Sequence, residues 1–151
     1  MLANVHPLLT GTLLSRLDAM GHSDAVLVCD AHFPAARLVG QVIDMPGVTA
    51  AEVVAAICTV LPLDEPVAAS LMDGGGTATA VQDELRAACG APAEQLRTLP
   101  RAEFYDVAAG AVVAVRSGEV RAFGNLLLHK GVIVRDHSVV AFRRPTPSVP
   151  G

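Results

Sequence analysis

Gly21-His22-Ser23-Asp24-Ala25-Val26-Leu27-Val28-Cys29-Asp30-Ala31-His32-Phe33-Pro34 is the stretch whose reading decides the fold. Its middle, AVLVCD over 25–30, is a short apolar run without polar alternation, the pattern of a strand covered on both faces. Such a strand needs a layer of helices above it and another below. The flanking sequence supplies helical patterns. Upstream, Leu8, Leu9, Leu13, Leu14 and Leu17 recur at roughly helical spacing, which predicts a helix over 6–20 with Pro7 near its start and Gly21 as its stop. Downstream, residues 32–38 contain Pro34 and read as a loop, and 41–45 as a second strand. Thr49 with Glu52 is a capping box, and AEVVAAICTVL continues it as a helix ending at Pro62.

The alternation continues along the chain. A strand over 66–72 precedes the Gly74-Gly75-Gly76 break. Thr79 with Gln82 forms a second capping box, opening a helix that stops at Gly90. A short strand over 95–99 leads to Pro100, which suits the first turn of a helix running to about 109. Residues 111–116 and 126–129 read as strands, with 132–134 as a further short one. Strands alternating with helices of this length predict an α/β fold: a single three-layer α/β/α domain with a central mixed sheet. That domain spans 1–134. Residues 135–151 carry Arg135, Arg143, Arg144 and three prolines and read as an irregular extension.

Composition narrows the function classes. The chain has 151 residues, a usual length for one domain. It is 52% hydrophobic but only 3% aromatic, so Ala and Val must fill most of the core. Charged residues make up 17%, below the usual quarter, and the mean hydropathy is positive. More apolar surface is present than one small monomer hides, which points to a homo-oligomer. No apolar run reaches the ~18–20 residues of a membrane-spanning helix. The net charge of -4 provides no basic stripe for nucleic acid. The start lacks a basic secretory n-region, and the three widely spaced cysteines form no CxxC pair. Both features fit a cytoplasmic protein with reduced thiols.

Several residues are candidates for chemistry. His22, Asp24, Asp30 and His32 frame the buried strand, and Asp30 stands at its carboxyl end, where α/β proteins usually bind ligands. Capping explains Asp24, His22 and Asp30 equally well, and metal ligation is a third reading of the His and Asp residues. Asp64 follows Leu61-Pro62-Leu63 at a helix exit and also reads as a surface turn. Arg101 and Tyr105 lie one helical turn apart and share a face. Phe123-Gly124-Asn125 leads into an apolar strand; it reads as a turn, or as a close approach carrying an amide donor and acceptor. No GxGxxG, phosphate loop or GxSxG elbow is present, so no nucleotide cofactor is expected.

GHSDAVLVCDAHFP, LPLD, LMD, RAEFYDVA and RSGEVRAFGNLLLHKGV, in that order over 1–134, resemble the RbsD/FucU family of fucose mutarotases and ribose pyranases, nearer its fucose branch. RAEFY, with Arg101 in place of a His-containing segment, carries that preference. The resemblance implies a cytoplasmic sugar isomerase without cofactor or metal, assembled as a decameric ring with sites at subunit interfaces. It implies catalytic roles for His22, Asp64 and Tyr105, and substrate contacts by Asp30, Met72, Arg101, Phe123 and Asn125. Phe123 departs from the family's Tyr, so one hydroxyl is lost. A D-ribose pyranase and a non-catalytic sugar-binding module are the alternatives.

The expected reaction opens a cyclic hemiacetal and recloses it on the other face. A base takes the anomeric proton while an acid protonates the ring oxygen, steps typically worth ~10²–10⁴ in rate. Geometry adds a condition. At ~3.3 Å per residue, an extended strand separates His22 from Asp30 by roughly 20 Å. One sugar cannot bridge that span, so two subunits are expected to share each site unless the loop at His22 folds back along the strand.

Overall fold

The computed structural model describes residues 1–134, and the predicted extension over 135–151 lies outside them. Five helices and six strands alternate: α1 (Gly11–Ala19), β1 (Ala25–Cys29), α2 (Ala35–Leu38), β2 (Val42–Met45), α3 (Ala50–Cys58), β3 (Ala69–Met72), α4 (Ala80–Cys89), β4 (Leu96–Leu99), α5 (Arg101–Ala109), β5 (Val113–Ser117) and β6 (Leu126–His129). The strands form one sheet in the order β2-β5-β1-β6-β3-β4. Only β6 is antiparallel: it runs against β1 on one side and β3 on the other, while the remaining pairs are parallel. The expected three-layer α/β/α domain with a mixed central sheet is the observed architecture.

Both faces of the sheet are covered, as the unbroken apolar run of β1 requires; all five of its residues are buried. One face carries Val26, Val28, Leu71, Val113, Val115, Leu126 and Leu128 against α1, α3 and α4. The other carries Leu27, Cys29, Ala114 and Leu127 against α2 and α5, with Phe104 at 0% exposure. The three cysteines are free and pack in or against these cores.

Local chemistry explains where the boundaries differ from expectation. The first helix begins at Gly11, not at residue 6, because Thr10 is its N-cap: its hydroxyl accepts from Leu13 N–H at 3.4 Å. Residues 35–38 form a single helical turn behind Pro34 where a loop was expected. The strand expected over 66–72 begins only at Ala69. The Thr49–Glu52 capping box is complete, but in the second box the Thr79 hydroxyl has no partner. There Gln82 accepts from Thr79 N–H and turns its amide to donate to the Met72 carbonyl at 2.8 Å. Residues 132–134 make no strand and are exposed. No helix of the described residues is long and apolar enough to cross a membrane.

Leu127 sits at the centre of β6, fully buried and paired with Leu27 and Ser70 on its two sides. Leu127→Ala should lower unfolding free energy by about 2–5 kcal/mol, measured by urea denaturation.

Candidate active site

The antiparallel strand decides where the polar residues meet. β1 and β3 end at one edge of the sheet, and β6 starts there between them. The turn before β6 therefore brings Phe123 and Asn125 between Asp30, just after β1, and Met72, at the end of β3. Helix α5 begins at the same edge, after β4, and brings Arg101 and Tyr105. These six residues, with His32, Phe33 and Ala122, line a cavity of about 190 Å³. That is smaller than the ~300–1,000 Å³ of most drug-sized ligand pockets, and suits one small polar ligand. A larger cavity of about 400 Å³ beside α1 is walled by Leu14, Leu17, Val60, Leu61 and Ile133. None of the expected site residues lines it, so the smaller cavity is the candidate.

Within the cavity wall, Asp30 and Asn125 hold each other. Asp30 N–H donates to Asn125 Oδ1 at 3.0 Å, and Asn125 Nδ2 donates to Asp30 Oδ2 at 2.8 Å. Both residues are buried. Asp30 Oδ1 also accepts from His32 N–H at 3.0 Å, so the capping reading of Asp30 is real as well. A carboxylate has about four lone-pair sites, so acceptor capacity remains for ligand hydroxyls. Asp24, by contrast, only caps the preceding turn through Gly21 N–H at 2.7 Å.

Tyr105 is set from two sides. Phe33 meets its ring edge-on, with centroids 5.3 Å apart. Arg101 donates through Nε at 3.3 Å and Nη2 at 3.2 Å to the phenolic oxygen. A hydroxyl that accepts two bonds keeps its own O–H free to donate. Tyr105 thus presents its O–H as a hydrogen-bond donor beside a guanidinium.

Phe123 has φ 67°, the left-handed region. For a bulky residue this costs of order 1–3 kcal/mol and persists only where the surroundings enforce it. Ser23 shares that conformation, with φ 66°.

His22 and Asp64 lie elsewhere, at the amino end of β1. His22 Nε2 bonds Asp64 Oδ1 at 2.9 Å, and Ser23 Oγ donates to Asp64 Oδ2 at 2.9 Å. Desolvation raises the Asp64 carboxyl, but Ser23, His22 and the Glu65 amide outweigh it and hold the group below the usual carboxylate range. A second polar cavity of about 250 Å³ opens here, lined among others by Asp64, Ser70, Arg97, Glu103 and His129. Five strand residues, or about 16 Å, separate the two clusters.

The structure therefore brings together Asp30, Met72, Arg101, Tyr105, Phe123 and Asn125. It joins His22 to Asp64, and does not join that pair to Tyr105 within one subunit. Sequence reasoning missed Phe33 and His129, and weighed His32 only as a metal ligand. The signal for His32 was its position two residues past the strand end. His22 and His32 stand at opposite ends of β1, and no group of three or more His, Cys, Asp or Glu among the described residues has a metal-holding arrangement.

A sheet with helices on both faces and a small polar cavity at the carboxyl edge of its strands defines an α/β small-ligand protein. Residues 3–133 match the model of the RbsD / FucU transport protein family, and the chain belongs to that family. The fucose mutarotase of Streptococcus pneumoniae, solved with L-fucose, is 27% identical, with a TM-score of 0.80 over 88% of this chain and 100% of that one. FucU from Bifidobacterium longum is 32% identical, with a TM-score of 0.80 over 86% of this chain and 100% of that one. Bacillus subtilis RbsD complexed with D-ribose, at 21% identity and TM-score 0.72 over 85% of this chain and 98% of that one, shares the fold.

His129 supplies a pH test. It is half-buried and shares a 2.9 Å hydrogen bond with Ser70 Oγ. Burial holds its pKa below the ordinary value, with Asp64 opposing and Arg97 assisting. The unfolded chain therefore takes up this proton first. Stability should be lost as pH falls from about 6.5 through the folded value, and His129→Gln should flatten that slope in urea titrations. The Asp64 contribution is lost only below about pH 4, so the two windows separate.

Proposed function

We propose that the chain is a sugar mutarotase that interconverts the anomers of a monosaccharide by acid–base ring opening and closure, with L-fucose as its substrate. The observation that carries this reading is the convergence of Asp30, Asn125, Arg101, Tyr105 and Phe123 on one small cavity. Polyhydroxylated ligands need charged and amide hydrogen-bonding groups beside an apolar ring face, and this set supplies both. The solved Streptococcus relative, with its bound L-fucose, supports the same class of ligand.

Mutarotation needs a proton acceptor for the anomeric hydroxyl and a donor for the ring oxygen. Tyr105 is the donor, and Arg101 stabilises the phenolate that forms. Asp30 and Asn125 fix the sugar hydroxyls, Phe123 covers a ring face, and Met72 closes the opposite wall. His22, its ring oriented by Asp64, takes the anomeric proton. Ring opening already proceeds in water, so a modest enhancement from positioned groups is sufficient.

The two clusters complete one site only if a neighbouring subunit brings its His22–Asp64 pair to this subunit's cavity. We therefore read the protein as a homo-oligomer, a ring such as a decamer, with sites at its interfaces. Exposed Val60, Val120 and Ile133 support such contacts. The free cysteines fit a reducing, cytoplasmic setting. The ribose pyranase alternative uses the same ring opening.

Saturation-transfer NMR over fucose, ribose, galactose and rhamnose should show catalysed anomer exchange, fastest on L-fucose; binding without exchange would mean a sugar-binding module. Phe123→Tyr should tighten L-fucose binding by one hydrogen bond, ~0.5–1.5 kcal/mol. A drop on every sugar would mean a pocket shaped for another ligand. His22→Ala and Asp30→Ala proteins, each inactive, should recover part of the exchange when unfolded, mixed and refolded together. Verified mixed assemblies without recovery would mean that each subunit holds a complete site.

A further inference from the structure

Phe123 owes its place to a buried charge. The turn that carries it, residues 118–125, is wrapped around the Glu119 side chain, which is 3% exposed. Its backbone carbonyl accepts from Ala31 N–H at 2.8 Å, tying the turn to the end of β1. Arg121 folds back on the carboxylate, with Nε to Oε1 at 2.8 Å and Nη2 to Oε2 at 2.9 Å. Its N–H also donates to Oε1 at 3.0 Å. Glu119 Cγ fills the space under Gly124, where a Cβ would approach it to 2.8 Å. The chain between Arg121 and Gly124 has little room to relax, and Phe123 adopts the left-handed conformation there.

Arg121 has a second partner. Its Nη1 and Nη2 meet both oxygens of Glu84, on α4, at 2.8 and 2.6 Å. Helix α4 also holds a second part of the wall, because Gln82 donates to the Met72 carbonyl at 2.8 Å. The Phe123 ring itself lies against Gly74, so close that a Cβ there would touch it at 3.4 Å. One helix thus grips Met72 through Gln82 and Phe123 through Glu84 and Arg121.

We propose that Arg121, bridging buried Glu119 to Glu84, is a positioning residue that sets the Phe123 ring against the sugar, with α4 fixing the spacing between that ring and Met72. This rests on the reading of the cavity as a sugar site. The bridge touches no reacting atom, so it governs affinity and not the chemical step. Its two carboxylates are not equivalent. Glu119 must stay paired because it is buried, and Arg121→Ala risks unfolding. Glu84 is about half exposed, with 47% of its side chain accessible, so its loss leaves the buried pair intact.

Glu84→Ala is therefore the test, with Arg121→Lys beside it to keep the charge and remove the two-pronged geometry. Glu84→Ala should raise the half-saturating sugar concentration about two- to fivefold, the span that losing an exposed ion pair permits, with exchange at saturation within about twofold of wild type. Arg121→Lys should act in the same direction, and the double variant should add little to the larger single effect. In sugar-free protein, the Phe123 ring and Met72 methyl NMR signals should shift in both variants. Unmoved signals would overturn the proposal, as would moved signals with unchanged half-saturation, or saturating exchange that falls in step with affinity. Wild-type protein that exchanges no sugar would end the mutarotase reading, while the sugar-free signals would still decide whether the bridge positions the ring.

Discussion

The reciprocal pair between Asp30 and Asn125 is the constraint on which the site depends. Two hydrogen bonds join the end of β1 to the residue that opens β6. Each group is buried, and a buried polar group left unpaired costs about 1–3 kcal/mol. The pair thereby fixes where the antiparallel strand enters the sheet. Register follows from it: Val28 faces Leu126, Leu27 faces Leu127 and Val26 faces Leu128. A one-residue slip would exchange the faces of β6 and separate Asn125 from Asp30. Folding of the sheet centre and assembly of the cavity are accordingly one event.

The antiparallel strand also explains the chemistry at this edge. In an all-parallel sheet the strands would all leave their carboxyl ends here, each contributing one following loop. Inserting β6 in reverse adds an incoming turn between two outgoing ones. Asp30 and Met72 come from strands that end, Phe123 and Asn125 from one that begins. Four contacts meet in about 190 Å³, and the incoming turn carries one of them, Phe123, at a left-handed φ of 67°. The buried Glu119 carboxylate, held below its ordinary pKa by Arg121, gives the turn a rigid centre in place of a hydrophobic one.

Much of this was legible in the sequence. The apolar run AVLVCD announced a doubly covered strand, the Thr49–Glu52 box marked a helix start, and the match to the family picked out six residues that share one cavity. What escaped has physical causes. Thr10 out-competed Pro7 as the helix start because its hydroxyl caps Leu13. The single turn of α2 is held by Phe33 and Ala35 in the core, contacts that no local pattern encodes. The Glu119–Arg121–Glu84 bridge spans 37 residues of separation at its Glu84 arm, and sequence spacing carries no trace of such a pairing. Phe33 escaped because an apolar residue after a strand reads as core, and here it both packs in the core and lines the cavity.

The separation of two polar clusters by one buried strand is the remaining structural fact with functional weight. β1 is apolar throughout, so nothing along it can relay a proton from His22 to the cavity at Asp30. Proton transfer needs heavy atoms within about 2.6–3.2 Å, or one water between them. The Ser23 backbone nevertheless adopts a costly left-handed conformation that brings its hydroxyl to Asp64, and Asp64 in turn holds the His22 ring. Strain of that kind is retained where geometry matters. An oriented, accessible histidine lies at one end of the subunit, and a cavity with the Arg101-backed Tyr105 hydroxyl lies at the other. Side-by-side copies arranged head to tail around a ring would bring unlike ends into contact at every interface, as heterologous assembly allows. In such a ring, the apolar surplus of the sequence and the divided placement of the polar residues would have one cause.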